Sequence, residues 1–244
     1  MQRYFFELSY KGSDFHGWQI QPNAHSIQEE IESKLTRLHS NTPVKVVGCG
    51  RTDTGVHAHH YILHVDIPII ADTGLFVMKL NKMLPESIAI SKIYPVSDDQ
   101  HARFSATART YRYFIHSHKD PFRSESSWYV HQSLDISHMN EAARHLLGKQ
   151  DFTSLSKLHT DAKTNICDVR SAKWVLEDDH SLYFEIEADR FLRNMVRATV
   201  GTLVDVGLGK LQPNDIPAIL AAKDRQAAST SVPAHGLYLW KIEY

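Results

Sequence analysis

The sequence predicts an α+β protein made of two halves that share one order of secondary-structure elements. Apolar residues alternate with period two in the predicted strands and recur every three to four residues in the predicted helices. Each half then has the order β-α-β-β-α-β, which is typical of ferredoxin-like folds. A chain of 244 residues is long enough for two such domains. Because no low-complexity linker separates the halves, we expect their antiparallel sheets to adjoin.

The first half, residues 1–98, is predicted from alternation, capping and helix-breaking residues. Ser26 with Glu29 three residues later forms a capping box, which predicts a helix beginning after Ser26. Pro85 ends the second helix. The predicted elements are strands at 3–10, 44–49, 60–67 and 88–95, a helix from 27 to the break at 41–43, and a helix at 75–84.

The second half, residues 99–244, is predicted in the same way. Ser137 is the expected N-cap of its first helix, and Gly148 is the expected residue that ends that helix. Pro213 occupies a favoured first helical position. The predicted elements are strands at 107–117, 169–176, 182–188 and 236–243, and helices at 137–147, at 191–206 and from 213.

Composition excludes several classes of protein. With 42% hydrophobic and 23% charged residues the chain is not disordered. Two cysteines, Cys49 and Cys167, are too few for a disulfide framework and favour a reducing compartment. We see neither a signal peptide nor an apolar run of membrane length, so we expect a cytoplasmic protein without a membrane partner.

The candidate catalytic loop is the segment GCGRTDTGVH at 48–57, in which three glycines flank Asp53 at the end of a strand. Arg51 lies two residues earlier, where a cation could keep Asp53 ionised as a nucleophile or bind a phosphate. A second interpretation is a glycine turn in which Asp53 caps local amides. A third is the Asp-Thr-Gly string of aspartic proteases, which would need a homodimer to supply two carboxylates and conflicts with the predicted fold class.

Four histidines near this loop, His57, His59, His60 and His64, suggest a zinc site. No cysteine or carboxylate completes a usual ligand spacing, and His59 and His60 point to opposite faces of a strand. We therefore expect core or surface histidines and no metal.

Two further segments carry interleaved arginine and aromatic residues or regularly spaced arginines. On the strand at 107–117, Arg109 and Tyr111 share a face, which suits a surface that follows a nucleic-acid backbone and stacks on bases. The alternative is an ordinary strand with core tyrosines. Arg190, Arg193 and Arg197 lie on or just before the helix predicted at 191–206, and their spacing places them on one side of it. They would bind a phosphate or a carboxylate there, or they would form a solvated basic face.

Taken together, these strings resemble the TruA family of tRNA pseudouridine synthases, in the right order and over essentially the whole chain. The matching strings are YKGSDFHGWQIQP at 10–22, GCGRTDTGVHA at 48–58, HARFSATARTYRY at 101–113, GKQDFTSL at 148–155, FLRNMVRATVG at 191–201 and HGLYLWKIEY at 235–244.

The resemblance implies two ferredoxin-like halves around a central cleft and a homodimer. It implies isomerisation of uridine to pseudouridine at positions 38–40 in the anticodon stem-loop of tRNA, without a cofactor. Asp53 matches the catalytic aspartate, which attacks ribose C1′ or base C6 or assists a glycal route. Tyr111 matches the active-site tyrosine that stacks on the target base, and Arg197 the residue that pairs with the aspartate. Arg51 matches the arginine that expels the target nucleotide.

The sequence departs from the family pattern beside the catalytic loop. His59-His60-Tyr61 stands where a Gly-Gln-Val-like stretch is common, with Tyr61 in place of glutamine. Arg193 and Asn194 stand where histidines are common. These changes leave the catalytic positions intact and bear on tRNA contacts beside the cleft.

Charge along the chain is unevenly distributed. The formal net charge of −1 argues by itself against a nucleic-acid binder. However, residues 100–123 carry a net charge of +4 and residues 174–189 a net charge of −6, counted without histidine. We therefore predict a basic surface formed by 100–123 and the arginines, with the acidic hairpin away from the RNA. The arginines expected to bind substrate are Arg51, Arg109, Arg190 and Arg193.

Overall fold

A computed structural model describes residues 1–157 and 163–244 of the chain. Within those ranges the chain forms two compact units, residues 1–107 with 238–244 and residues 108–237. Both units combine helices with strands that pair mostly antiparallel, so the protein is α+β as predicted. The observed division falls after Thr107, and the C-terminal residues belong with the first unit. That residues 1–98 and 99–244 are domains in their own right stays a prediction.

The predicted elements occur in the predicted order with differences in their bounds, and two short strands, at Trp128–Tyr129 and Gly148–Asp151, were not predicted. The strands are β1 (Gln2–Tyr10), β2 (Val47–Gly48), β3 (His57–Ile67), β4 (Ile88–Pro95), β5 (Ala108–His116), β6 (Trp128–Tyr129), β7 (Gly148–Asp151), β8 (Ile166–Asp178), β9 (Ser181–Ala188) and β10 (Leu237–Glu243). The α-helices are α1 (Ile27–Leu38), α2 (Thr73–Met83), α3 (Ile136–Arg144), α4 (Met195–Gly207) and α5 (Asp215–Ala222). None of the helices in the described ranges has the length and apolarity that a membrane crossing requires.

In the first unit, β1 is the central strand and pairs antiparallel with β3 on one side and β4 on the other. The far edge of β3 pairs antiparallel with β2 and in parallel with β10, the latter through Tyr238 opposite His57 and Leu239 opposite Ala58. This pairing explains why β3 begins at His57 rather than at His60. Ser26 accepts a hydrogen bond from the Glu29 amide at 3.2 Å, which confirms the predicted cap of α1.

The strand predicted at 44–49 is observed only at Val47–Gly48. Side chains of α1 satisfy the preceding amides: Thr36 Oγ1 accepts from Val44 N at 3.1 Å, and Glu32 Oε1 accepts from Val46 N at 3.1 Å. Because those amides are already paired, the segment packs on the helix instead of extending the sheet.

In the second unit, β9 pairs antiparallel with both β5 and β8, and β7 pairs antiparallel with β8. The predicted Ser137 cap is wrong, because Asp135 caps α3 by accepting from the His138 amide at 3.0 Å. Gly148 does not end that helix; it adopts a φ of +89° at the start of β7.

The fourth helix begins at Met195, four residues later than predicted. Asn194 precedes it with a left-handed φ of 65°, and the Met195 amide closes a turn on the carbonyl oxygen of Leu192 at 3.1 Å. Residues 191–194 are therefore a turn that leads into the helix, although their apolar spacing resembles a helix.

Candidate active site

Asp53 lies in the loop that joins β2 to β3, in the first unit. Its side chain is half-buried, Thr52 is buried, and Arg51 is exposed. The loop closes in a turn in which the Val56 amide donates to the carbonyl oxygen of Asp53 at 3.1 Å, and Gly55 takes a φ of +77°. The turn fixes the backbone at Asp53, and the residue is partly accessible to solvent.

The segment 11–22 holds this loop from the N-terminal side. The Trp18 amide donates to the carbonyl oxygen of Thr52 at 3.1 Å, and the Gly12 amide donates to His57 Nδ1 at 3.0 Å. Gly17 has a φ of +85°, and a Cβ placed on it would lie 2.5 Å from the Thr52 carbonyl oxygen. The two glycines therefore permit a backbone approach that a side chain would block. This segment was predicted only as one of the family-like strings, and its role in supporting the loop was missed; its two glycines and Trp18 were the available signal.

Tyr61, the departure from the family pattern, is a second support of the loop. Its side chain is fully buried (0% exposed), its hydroxyl donates to the carbonyl oxygen of Gly50 at 2.5 Å, and its ring stacks on Trp18 at a centroid distance of 4.2 Å. A residue so buried supports the Asp53 loop from inside and presents no surface to tRNA.

The four histidines near the loop contact other parts of the first unit. His57 stacks on Tyr238 at 4.5 Å, and His59 stacks on Trp240 at 4.1 Å. His60 Nδ1 accepts from the Ile242 amide at 3.3 Å, and His64 Nδ1 accepts from the Ala102 amide at 3.1 Å. Burial lowers the pKa of His60, and it lowers the pKa of His64 to about 4. These rings therefore join β3 to the C-terminal strand and to the segment after β4, in agreement with core and surface roles.

In the second unit, β5 carries Arg109 and Tyr111 as predicted, and both side chains are half-buried. Arg109 Nη1 donates to the carbonyl oxygen of Asp189 at 2.9 Å. The edge of the Tyr111 ring meets Phe191, with centroids 5.0 Å apart and an interplanar angle of 81°.

Tyr113, on the same strand, is a core residue, as the ordinary-strand alternative supposed. It is buried and donates to the carbonyl oxygen of Pro233 at 2.9 Å, and burial raises its pKa.

Arg197 lies in the first turn of α4 and is half-buried. Its Nε donates to the carbonyl oxygen of Val232 at 2.7 Å, while its own carbonyl oxygen accepts from the Val232 amide at 3.3 Å. The reciprocal bonds between Arg197 and Val232 fix the base of the guanidinium. The Nε bond leaves the two Nη groups of the fork to bind an anion.

The prediction that three arginines lie on one side of one helix is wrong. Arg190 and Arg193 both precede α4, and only Arg197 belongs to it. The Arg190 amide instead donates to the carboxylate of Asp189 at 2.7 Å, and that oxygen also accepts from the Asp168 amide at 2.8 Å. Arg193 is exposed, and its carbonyl oxygen accepts from the Lys157 amide at 3.0 Å.

The predicted separation of the basic segment from the acidic hairpin is also wrong at Arg112. Antiparallel pairing places Arg112 opposite Glu185, and Arg112 Nη2 lies 2.7 Å from the Glu185 carboxylate. Lys173, on β8, lies 3.3 Å from the same carboxylate. Charges that are far apart in the sequence are therefore adjacent in the sheet, and Arg112 is an internal partner rather than part of a basic surface.

Comparison with known proteins identifies the class to which this site belongs. A family model described as tRNA pseudouridine synthase matches residues 142–244. The chain is 51% identical to tRNA pseudouridine synthase A of Parabacteroides distasonis, over 100% of this chain and 96% of that protein. It is 49% identical to the protein of that name in Bacteroides fragilis, over 100% and 97%, and 39% identical to that in Bacillus subtilis, over 97% of each chain.

These matches define an RNA-modifying isomerase and not an aspartic protease. The chain belongs to the tRNA pseudouridine synthase A family.

Proposed function

We propose that this tRNA pseudouridine synthase isomerises uridines 38–40 of the tRNA anticodon stem-loop, with Asp53 as its nucleophile. The observation that carries the proposal is the Asp53 loop, whose backbone is bonded at Gly50, Thr52 and Asp53 while the carboxylate stays half-buried. A carboxylate on a backbone held in this way is suited to attack on the ribose C1′ or the base C6, or to assist a glycal route.

The overall reaction balances without any co-reactant. The bond between N1 of the base and C1′ breaks, the base turns, and a bond between C5 and C1′ forms. The proton on C5 is released and N1 gains one. No electrons are gained or lost, so the proposed chemistry needs no cofactor.

Three other side chains have proposed roles that rest on the family resemblance. Tyr111 stacks on the target base, and its half-buried ring, braced by Phe191, supports this. Arg197 pairs with the Asp53 carboxylate, and its fixed Nε supports a defined guanidinium direction. Arg51 expels the target nucleotide, and its exposure supports contact with RNA.

Arg109, Arg190 and Arg193 are proposed to bind the RNA backbone. The exposed side chain of Arg193 supports this most directly. Each such phosphate contact releases counterions, so the affinity for tRNA should fall with salt.

We further infer a cytoplasmic homodimer made of ferredoxin-like halves. In the first unit the strands have the order β4-β1-β3-β2, and each neighbouring pair is antiparallel. This order supports a ferredoxin-like sheet. Sedimentation at micromolar concentration tests the dimer, and fractionation of cells tests the compartment.

The central experiment compares wild type with Asp53→Ala, using tRNA labelled with tritium at C5 of uridine. Wild type should release tritium, and the variant should release none while it still binds tRNA. Substrates with cytidine at 38, 39 and 40 should release no tritium from the anticodon stem-loop.

Tritium release by Asp53→Ala at the wild-type rate would refute the role of Asp53. Release from tRNA without uridine at 38–40 would refute the assigned positions. The same assay on wild type distinguishes the enzyme from a tRNA-binding module without catalysis, which would bind tRNA and release no tritium.

A further inference from the structure

We propose that Tyr61 is a positioning residue for the catalytic loop, acting through the carbonyl oxygen of Gly50. The inference rests on the proposed role of Asp53, three residues beyond Gly50. It assigns a use in catalysis to the tyrosine that replaces the glutamine common in the family.

The first step is the hydrogen bond itself. Tyr61 lies within β3, and its buried hydroxyl donates to the carbonyl oxygen of Gly50 at 2.5 Å. The neighbouring Cys49 amide donates to the carbonyl oxygen of Ile62 at 2.8 Å. The strand therefore holds the start of the loop through one backbone bond and one side-chain bond, on consecutive residues of each segment.

The second step is the ring. Tyr61 stacks on Trp18 with centroids 4.2 Å apart, and it meets Tyr10 at 5.4 Å. Both neighbours reach Thr52: the Trp18 amide donates to its carbonyl oxygen at 3.1 Å, and the Tyr10 hydroxyl lies 2.9 Å from its Oγ1. We call Tyr10, Trp18 and Tyr61 the aromatic cluster. It bonds the loop at Gly50 and at Thr52, the residues on either side of Arg51.

The third step is the space around the hydroxyl. A Cβ placed on Gly48 would lie 2.1 Å from the Tyr61 hydroxyl oxygen and 2.6 Å from the Trp18 ring. The glycine at 48 therefore leaves the room that the phenol occupies, and the Tyr61 hydroxyl is packed where it can reach Gly50.

The consequence concerns catalysis more than binding. Because Tyr61 is fully buried, it cannot touch tRNA, and its loss removes no direct contact with tRNA. Without the hydroxyl the Gly50 carbonyl loses this donor and the loop can shift. A displacement of about 1 Å at a reacting group lowers the rate on the order of 100-fold. We expect kcat to fall between about 10-fold and 100-fold for Tyr61→Phe, with KM for tRNA within a factor of about two.

The experiment measures kcat and KM for tritium release by wild type, Tyr61→Phe and a matched control, Tyr4→Phe. Tyr4 is also buried in the first unit, and its hydroxyl accepts one backbone bond, from the Ile70 amide at 3.0 Å, away from the loop. The control should keep the wild-type kcat. Binding of tRNA and the thermal midpoint, measured on each variant, show that it is folded.

The inference is supported if Tyr61→Phe alone loses kcat while its KM and its Kd for tRNA are retained. It is overturned if Tyr61→Phe keeps the wild-type kcat, if its defect lies in KM, or if Tyr4→Phe shows an equal loss. Asp53→Ala, assayed in parallel, separates the two proposals. An active Asp53→Ala enzyme refutes the proposed function, whereas an inactive Asp53→Ala with a fully active Tyr61→Phe refutes only the role of Tyr61.

Discussion

Protonation of His64 should destabilise the protein in mild acid. His64 is 5% exposed, and its Nδ1 accepts the hydrogen bond of the Ala102 amide at 3.1 Å. Burial, with the positive charge of Arg3 and the ring of His101 nearby, lowers its pKa to about 4, against an opposing effect of Asp66. An unfolded chain returns the imidazole to its ordinary pKa of about 6.5.

The sign and size of the effect follow from the two pKa values. Between pH 6.5 and pH 4 the unfolded chain binds a proton at His64 that the folded chain does not, so the free energy of unfolding falls as the pH falls. With folded and unfolded pKa values of about 4 and 6.5, the loss between pH 7 and pH 5 is about 2 kcal/mol.

Urea unfolding at pH 7 and pH 5, on wild type and on His64→Asn, measures this contribution. The asparagine carbonyl can accept from the Ala102 amide but does not titrate. Other histidines whose pKa is lowered by burial, among them His60 and His101, remain in the variant, so the difference between the two proteins isolates His64. An equal loss of stability in wild type and variant would refute the reasoning.

Four further substitutions test other parts of the structure. Gly17→Ala forces a side chain onto a φ of +85° and 2.5 Å from the Thr52 carbonyl oxygen, so we expect the free energy of unfolding to fall by roughly 1–3 kcal/mol and tritium release to be reduced. Wild-type values in both measurements would contradict the role of Gly17 in holding the Asp53 loop. Ser26→Ala removes the cap of α1 and should lower the free energy of unfolding by about 1 kcal/mol. An unchanged unfolding midpoint would show that the cap contributes nothing to stability. Arg112→Ala should leave the Kd for tRNA unchanged at every salt concentration, because Arg112 pairs with Glu185. Arg193→Ala should weaken tRNA binding and reduce its salt dependence, because Arg193 is exposed. The reverse pattern would show that Arg112, and not Arg193, contributes to the tRNA-binding surface.

Element order was predictable because it depends on local signals. The N-cap at Ser26 and the alternation in β1 act over a few residues, and both were confirmed. One error fell where a distant group satisfied the backbone. Val44 and Val46 did not join β2 because side chains of α1 accept their amide protons. The start of α4 moved to Met195 because the preceding residues form a turn, which apolar spacing does not distinguish from a helix.

The predictions for the candidate site also succeeded or failed according to whether they depended on local sequence. The Asp53 loop was a candidate from its glycines and its arginine, and Tyr111 and Arg197 were candidates from their resemblance to family strings. The prediction that Arg190, Arg193 and Arg197 share one helix was wrong, because the helix begins at Met195. The prediction that Arg112 belongs to a basic surface was wrong, because charge was counted along the chain while strand pairing places Glu185 opposite Arg112.

Sequence alone therefore determined the α+β class, which follows from residue type and spacing. Resemblance of its strings determined the family and pointed to the loop that carries the proposed nucleophile. Only the tertiary structure decided what holds that loop. Contacts of Tyr61 with Gly50 and of Gly17 with Thr52 join residues 11 and 35 positions apart in the chain. Such contacts depend on how the elements pack, and no local pattern of residues encodes them.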